Sequence, residues 1–83
     1  MKLLYFASVR EITGLSEESY KLPDGVGNVA QLTAHMRNRG GAYATAFEKT
    51  LMLRVAVNQV HAQPEHPITD ADEIAFFPPV TGG

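Results

Sequence analysis

Ile74-Ala75-Phe76-Phe77-Pro78-Pro79-Val80-Thr81-Gly82-Gly83 closes the sequence. With Glu73, its first half reads as a strand: a short apolar run bounded by prolines. Side chains alternate along a strand, so Ile74 and Phe76 share one face and Ala75 and Phe77 the other. Ile74 and Phe76 are expected to fill the core. Phe77 is expected to be exposed in the free chain and to anchor a partner, as aromatic hot spots often do. The second half has a different character. Pro78 and Pro79 hold the backbone extended and cannot donate hydrogen bonds to a sheet. Gly82 and Gly83 remove every side chain next to the terminal carboxylate. Extended, the chain from Phe77 to Gly83 spans roughly 20 Å, at about 3.3–3.6 Å per residue. A stiff spacer ending in a bare carboxylate suits insertion into a narrow pocket on another protein. Gly40-Gly41 is also a diglycine, but it is internal and a helix stop accounts for it.

Working outward, residues 2–8 read as a strand, and the continuous run Leu3-Leu4-Tyr5-Phe6 fits one covered on both faces. Phe6 is accordingly expected in the core. Ser8 to Gly14 reads as a short helical turn ended by the glycine. Residues 16–22 look like a second, more exposed strand, and Pro23-Asp24-Gly25 is turn chemistry. Asn28 is a candidate N-cap for a helix in which Val29, Leu32 and Met36 recur at helical spacing. Arg37 and Arg39 are expected in its last turn, where cations suit the helix dipole. Ala42 to Lys49 is expected to form a further short helix. Residues 51–58 read as a strand with Leu53, Val55 and Val57 inward and Arg54 outward. Asn58-Gln59 is a turn, Val60-His61-Ala62 a short returning strand, and Pro64 to Asp72 a loop with Ile68 as an apolar plug. The first and last strands, the most apolar, are expected to pair at the centre of a mixed sheet crossed by one main helix. That is an α+β, ubiquitin-like β-grasp, with residues 1–77 as the domain and 78–83 as an extended tail. A ferredoxin-like fold needs a second full helix where Pro64 and Pro67 stand.

Composition narrows the function. Nine acidic and seven basic residues leave a net charge of −2, with the basic residues scattered, so no nucleic-acid or anionic-membrane partner is indicated. No apolar run approaches the roughly 20 residues of a membrane span, and the start is too short for a secretory signal. A cytoplasmic location is the expectation. The chain has no cysteine, which excludes disulfides, zinc–thiolate sites and a cysteine nucleophile. His35, His61 and His66 with Asp70, Asp72 and Glu73 match no compact metal-ligand spacing. Ser8 and a histidine have no triad motif around them.

Phe6-Ala7-Ser8-Val9-Arg10-Glu11, Ala56-Val57-Asn58-Gln59 and above all Asp72 to Gly83 carry a family resemblance. The chain resembles the small, sulfur-carrying subunit of molybdopterin synthase, the MoaD family, along its whole length. The resemblance implies that the Gly83 carboxylate is adenylated with ATP by a separate, E1-like activating enzyme and converted to a thiocarboxylate by a sulfur donor. It implies that the tail then enters a pocket of the large synthase subunit and gives sulfur to cyclic pyranopterin monophosphate. Two such transfers make the dithiolene of molybdopterin. It further implies a heterotetramer with the catalytic pocket on the large subunit, no cofactor bound by this chain, and ATP used only by the activating enzyme. By the same resemblance Gly82 and Gly83 carry the chemistry, while Phe77, Pro78, Pro79, Val80, Thr81 and Arg10 meet partners. Two positions depart from the pattern. Ala71 stands where many relatives have glycine, so its φ should not be positive. His61 stands where an apolar residue is expected at the large-subunit interface. Two other readings share the adenylation step: a ubiquitin-like modifier joined to lysine through Gly83, and a sulfur carrier of the thiamine type. A plain interaction module with an inert tail uses no such step.

Overall fold

The structure, a computed structural model, describes residues 1–48 and 52–78 of the 83. Its elements in chain order are β1 (Lys2–Tyr5), α1 (Ala7–Thr13), β2 (Glu17–Ser19), α2 (Val29–Arg37), α3 (Gly41–Ala46), β3 (Arg54–Val57), β4 (Val60–His61) and β5 (Glu73–Phe77). The strands form one sheet in the order β2-β1-β5-β3-β4. β1 and β5 run parallel at its centre, and the other pairings are antiparallel. The expected pairing of first and last strands is therefore present, and the layout is the β-grasp.

Local chemistry sets the element ends. Gly14 terminates α1 in the left-handed conformation, φ 77°, and its N–H donates to the Arg10 carbonyl at 2.8 Å. Asn28 caps α2 as expected: its Oδ1 accepts from the Gln31 N–H at 2.8 Å. Gln31 reaches back, and its Oε1 accepts from the Gly27 N–H at 2.8 Å. Asn58 and Gln59 turn β3 into β4 with φ of 51° and 69°, the left-handed geometry of a tight hairpin. Asn58 is also tied to the start of β5, since its Nδ2 donates to Asp72 and its Oδ1 accepts from the Glu73 N–H. Ala71 is not among the positive-φ residues, in keeping with its lack of a glycine.

One face of the sheet makes the core. Leu3 and Tyr5 from β1, Val55 and Val57 from β3, and Ile74 and Phe76 from β5 meet Val9, Val29, Leu32, Met36, Phe47 and Ile68. The aromatic centre is tight: Phe76 lies 4.9 Å from Phe47 in an edge-to-face pair and 6.2 Å from Tyr5 in a stacked one.

Several expectations need correction. β1 stops at Tyr5, because Ala7 turns the chain at φ 48° into α1. β1 is not covered on both faces: Leu3 and Tyr5 are buried, Leu4 is half-buried, and Phe6 is 46% exposed. Phe6 continues the Lys2–Leu4 face and so points away from the core. β2 is shorter than expected, three residues, although Tyr20 and Leu22 still pack against the core. α2 ends at Arg37, so Arg39 lies beyond its last turn. α3 starts one residue early, at Gly41, and ends at Ala46; Lys49 lies outside the described residues, as does position 51. The strand expected over 51–58 is shorter, since Met52 and Leu53 precede β3 and Asn58 already belongs to the turn.

Arg39 instead holds the β2 edge. Its Nη1 and Nη2 donate to both oxygens of Glu18 at 2.8 Å, and its guanidinium sits between the rings of Tyr20 and Tyr43 at 4.3 and 3.8 Å. Tyr5 Oη donates to Glu18 at 2.6 Å and Tyr43 Oη at 3.2 Å. The Arg39 hydrogen bonds, with help from the tyrosine hydroxyls, hold the Glu18 carboxyl down at about 2. Burial, reinforced by Glu18, raises the Tyr5 phenol above its ordinary value. Glu18 thus binds protons less readily folded than unfolded. Its contribution is present above about pH 4.5 and lost as pH falls through about 2. By that linkage Glu18 is worth on the order of 3 kcal/mol at neutral pH. Urea titrations of wild type and E18Q should converge between pH 4.5 and 2; a stability gap independent of pH would contradict the ion pair's role.

Candidate functional site

Among the described residues no helix covers the outer face of the sheet, and β5 ends there at Phe77. Cross-strand register places Glu17, Leu4, Ala75, Ala56 and His61 in one row across all five strands. The two alanines make the middle of this face shallow. Phe77 lies one repeat further along β5 and projects on the same side, opposite Arg54 of β3. Phe6 stands beside it, ring centroids 6.5 Å apart and nearly perpendicular, and His61 flanks it from β4 at 5.6 Å. The last step of the β1–β5 ladder, the Phe6 N–H donating to the Phe76 carbonyl at 3.1 Å, fixes Phe6 at this level. The Phe6 carbonyl then accepts from the Val9 and Arg10 N–H groups and starts α1.

The predicted site residues divide accordingly. Phe77 is at the point where the tail leaves the sheet, on the face opposite the core. It is half-buried, not open to solvent as expected, because Phe6 and His61 pack against it. Pro78 follows, half-buried, and borders an apolar cavity of about 390 Å³ with Ile12, Ala46, Met52 and Leu53. Arg10 is exposed on α1 and forms no ion pair among the described residues. Pro79, Val80, Thr81, Gly82 and Gly83 lie outside the described residues.

Sequence reasoning missed Phe6 as part of this face, although the period-two alternation from Leu4 was the available signal. It singled out His61 as a departure without placing it against Phe77. Among the described residues no group of three or more histidine, aspartate or glutamate side chains is placed to hold a metal ion. No helix among them is long and apolar enough to cross a membrane. What the described residues offer is an aromatic platform of Phe6, Phe77 and His61 at the end of β5.

A model of the ThiS family matches residues 3–83. The chain belongs to the ThiS family. Within that family it is similar to curated proteins named molybdopterin synthase sulfur carrier subunit. The one from Escherichia coli K12 is 42% identical over all 83 residues, with 99% of that protein covered. The one from Haemophilus influenzae is 39% identical at the same coverage, and the one from Chlamydomonas reinhardtii is 32% identical, with 98% covered. Among solved structures, SAMP1 from Haloferax volcanii superposes with a TM-score of 0.73 at 24% identity, covering 99% of this chain and 97% of that one. The small archaeal modifier protein 1 from Methanosarcina acetivorans gives 0.70 at 22%, covering 99% and 94%. These two likenesses establish the ThiS-family chain as a ubiquitin-like β-grasp and speak to the fold alone.

Proposed function

We infer that this chain is the sulfur carrier subunit of a molybdopterin synthase, working in molybdenum cofactor biosynthesis. The observation that supports this most is the full-length similarity, at 32–42% identity, to proteins that bear that name. The fold agrees with it, because the last strand of a β-grasp runs directly into the tail.

The chemistry follows from the chain end. A free α-carboxyl has a pKa of about 3.3–3.7, so at neutral pH it is an anion and a poor electrophile. Adenylation by an ATP-dependent activating enzyme gives the Gly83 acyl group a good leaving group. A sulfur donor displaces it and leaves a thiocarboxylate, a soft nucleophile at the end of the spacer. The large subunit takes the tail into its pocket, where the sulfur passes to cyclic pyranopterin monophosphate. This chain is then not an enzyme on its own. It binds no cofactor, and its own groups do three things: reach, orient and carry. Side chains at positions 82 and 83 would crowd a narrow channel, which is why glycine suits both.

In this reading Phe77 is the anchor that seats the domain while the tail is engaged. Phe77→Ala is expected to weaken binding of the large subunit by about thirtyfold or more, the size of an interface hot spot. It should cost the free chain only about 1 kcal/mol, since the ring lies outside the core cluster. Calorimetric titration and thermal melting on the same samples check both. Proportionate losses in binding and stability would show Phe77 to be a fold residue instead.

A further inference from the structure

We propose that His61 sets partner specificity on the tail-exit face, and that the partner's wall opposite it presents a carboxylate. This rests on the carrier-subunit reading above, which supplies a partner seated over Phe77. His61 ends the cross-strand row that runs through Ala56, Ala75 and Leu4, and its ring meets the Phe77 ring at 5.6 Å and 75°. A wall that packs on Phe77 and sinks toward the two alanines must therefore also cover His61. Neither imidazole nitrogen has a hydrogen-bond partner among the described residues, and the residue is exposed. An imidazole N–H buried against a purely apolar wall is left unsatisfied, which penalises binding. An acceptor across the interface removes that penalty.

Charge on this half of the face narrows the acceptor. Arg54, the register partner of Phe77, lies on the strand next to β4 and forms no ion pair among the described residues. The opposite half differs. There Lys2 pairs with Glu17 at 3.3 Å, and Glu73, in register with Lys2 at the end of β5 far from Phe77, adds a carboxylate. The β3–β4 half is left with unmatched positive character, which favours a carboxylate over a neutral carbonyl and disfavours a cation. A partner whose wall is apolar at that point is rejected.

The test measures binding of the unmodified chain to the large subunit encoded by the same organism. H61L is expected to weaken binding about tenfold or more, and H61Q, which restores an N–H donor, to stay within about threefold of wild type. R54Q should reduce the salt dependence of the wild-type affinity. Binding of H61L equal to or tighter than wild type overturns the proposal, as does equal loss in H61L and H61Q, which would mean that ring shape and not donation matters. An unchanged salt dependence in R54Q overturns the carboxylate. F77A separates the two levels. If F77A also binds normally, the docking face itself is misplaced. If F77A binds weakly while H61L binds normally, only the His61 inference fails.

Discussion

A chain lacking Gly83 is expected to support no sulfur transfer, with synthase activity reduced at least a thousandfold, while it melts at the same temperature as the full chain. The first half follows from geometry. Removing one residue shortens the tail by about 3.3–3.6 Å. Reacting atoms must come within roughly 3–3.5 Å, and misplacement by even 1 Å can cost a hundredfold. The new end, Gly82, still bears a carboxylate, so loss of activity would isolate reach and not acid chemistry. The second half follows from packing. The core consists of Leu3, Tyr5, Ile74, Phe76 and the residues they touch, all within positions 3–76. An active truncated chain would refute the assignment of Gly83.

Phe76→Ala is expected to lower stability by about 3–5 kcal/mol, the cost of emptying a large buried aromatic site. Phe76 is fully buried and packs against both Tyr5 and Phe47. It also sits where the central strands meet, opposite Tyr5 on one side and Val55 on the other. A domain of this size holds about 4–12 kcal/mol in total, so the variant should be largely unfolded in modest urea. Its neighbour is the control. Phe77 is one residue away and on the other face, and its truncation should affect the complex far more than the fold. A Phe76→Ala chain with a wild-type urea midpoint would mean that this strand does not register as described.

These two phenylalanines also mark how much was legible. Strand alternation in residues 73–77 assigned each ring to its face, and local signals at Gly14, Asn28 and Asn58 placed the breaks correctly. Those signals act through the backbone of nearby residues, which is why sequence alone reveals them. Phe6 was misread because a four-residue apolar run looks the same in a strand covered on both faces and in one that leaves a docking face open. The Glu18–Arg39 clamp was invisible for another reason. Its members are 21 residues apart and meet only once the edge strand and the end of α2 have been brought together by the fold. Arg39 carried a plausible local role at a helix end, and the tertiary partner displaced it. The proposed chemistry could be read without any pocket, because the family resemblance assigns it to a terminal carboxylate and two glycines. The partner's side of the site is written in another chain.

The most direct measurement is the intact mass of this chain after incubation with its activating enzyme, ATP and a sulfur donor. Replacement of one Gly83 carboxylate oxygen by sulfur, dependent on ATP and absent from the chain lacking Gly83, is the expected result. An unchanged mass, or only adducts linked through lysine, would contradict a sulfur carrier.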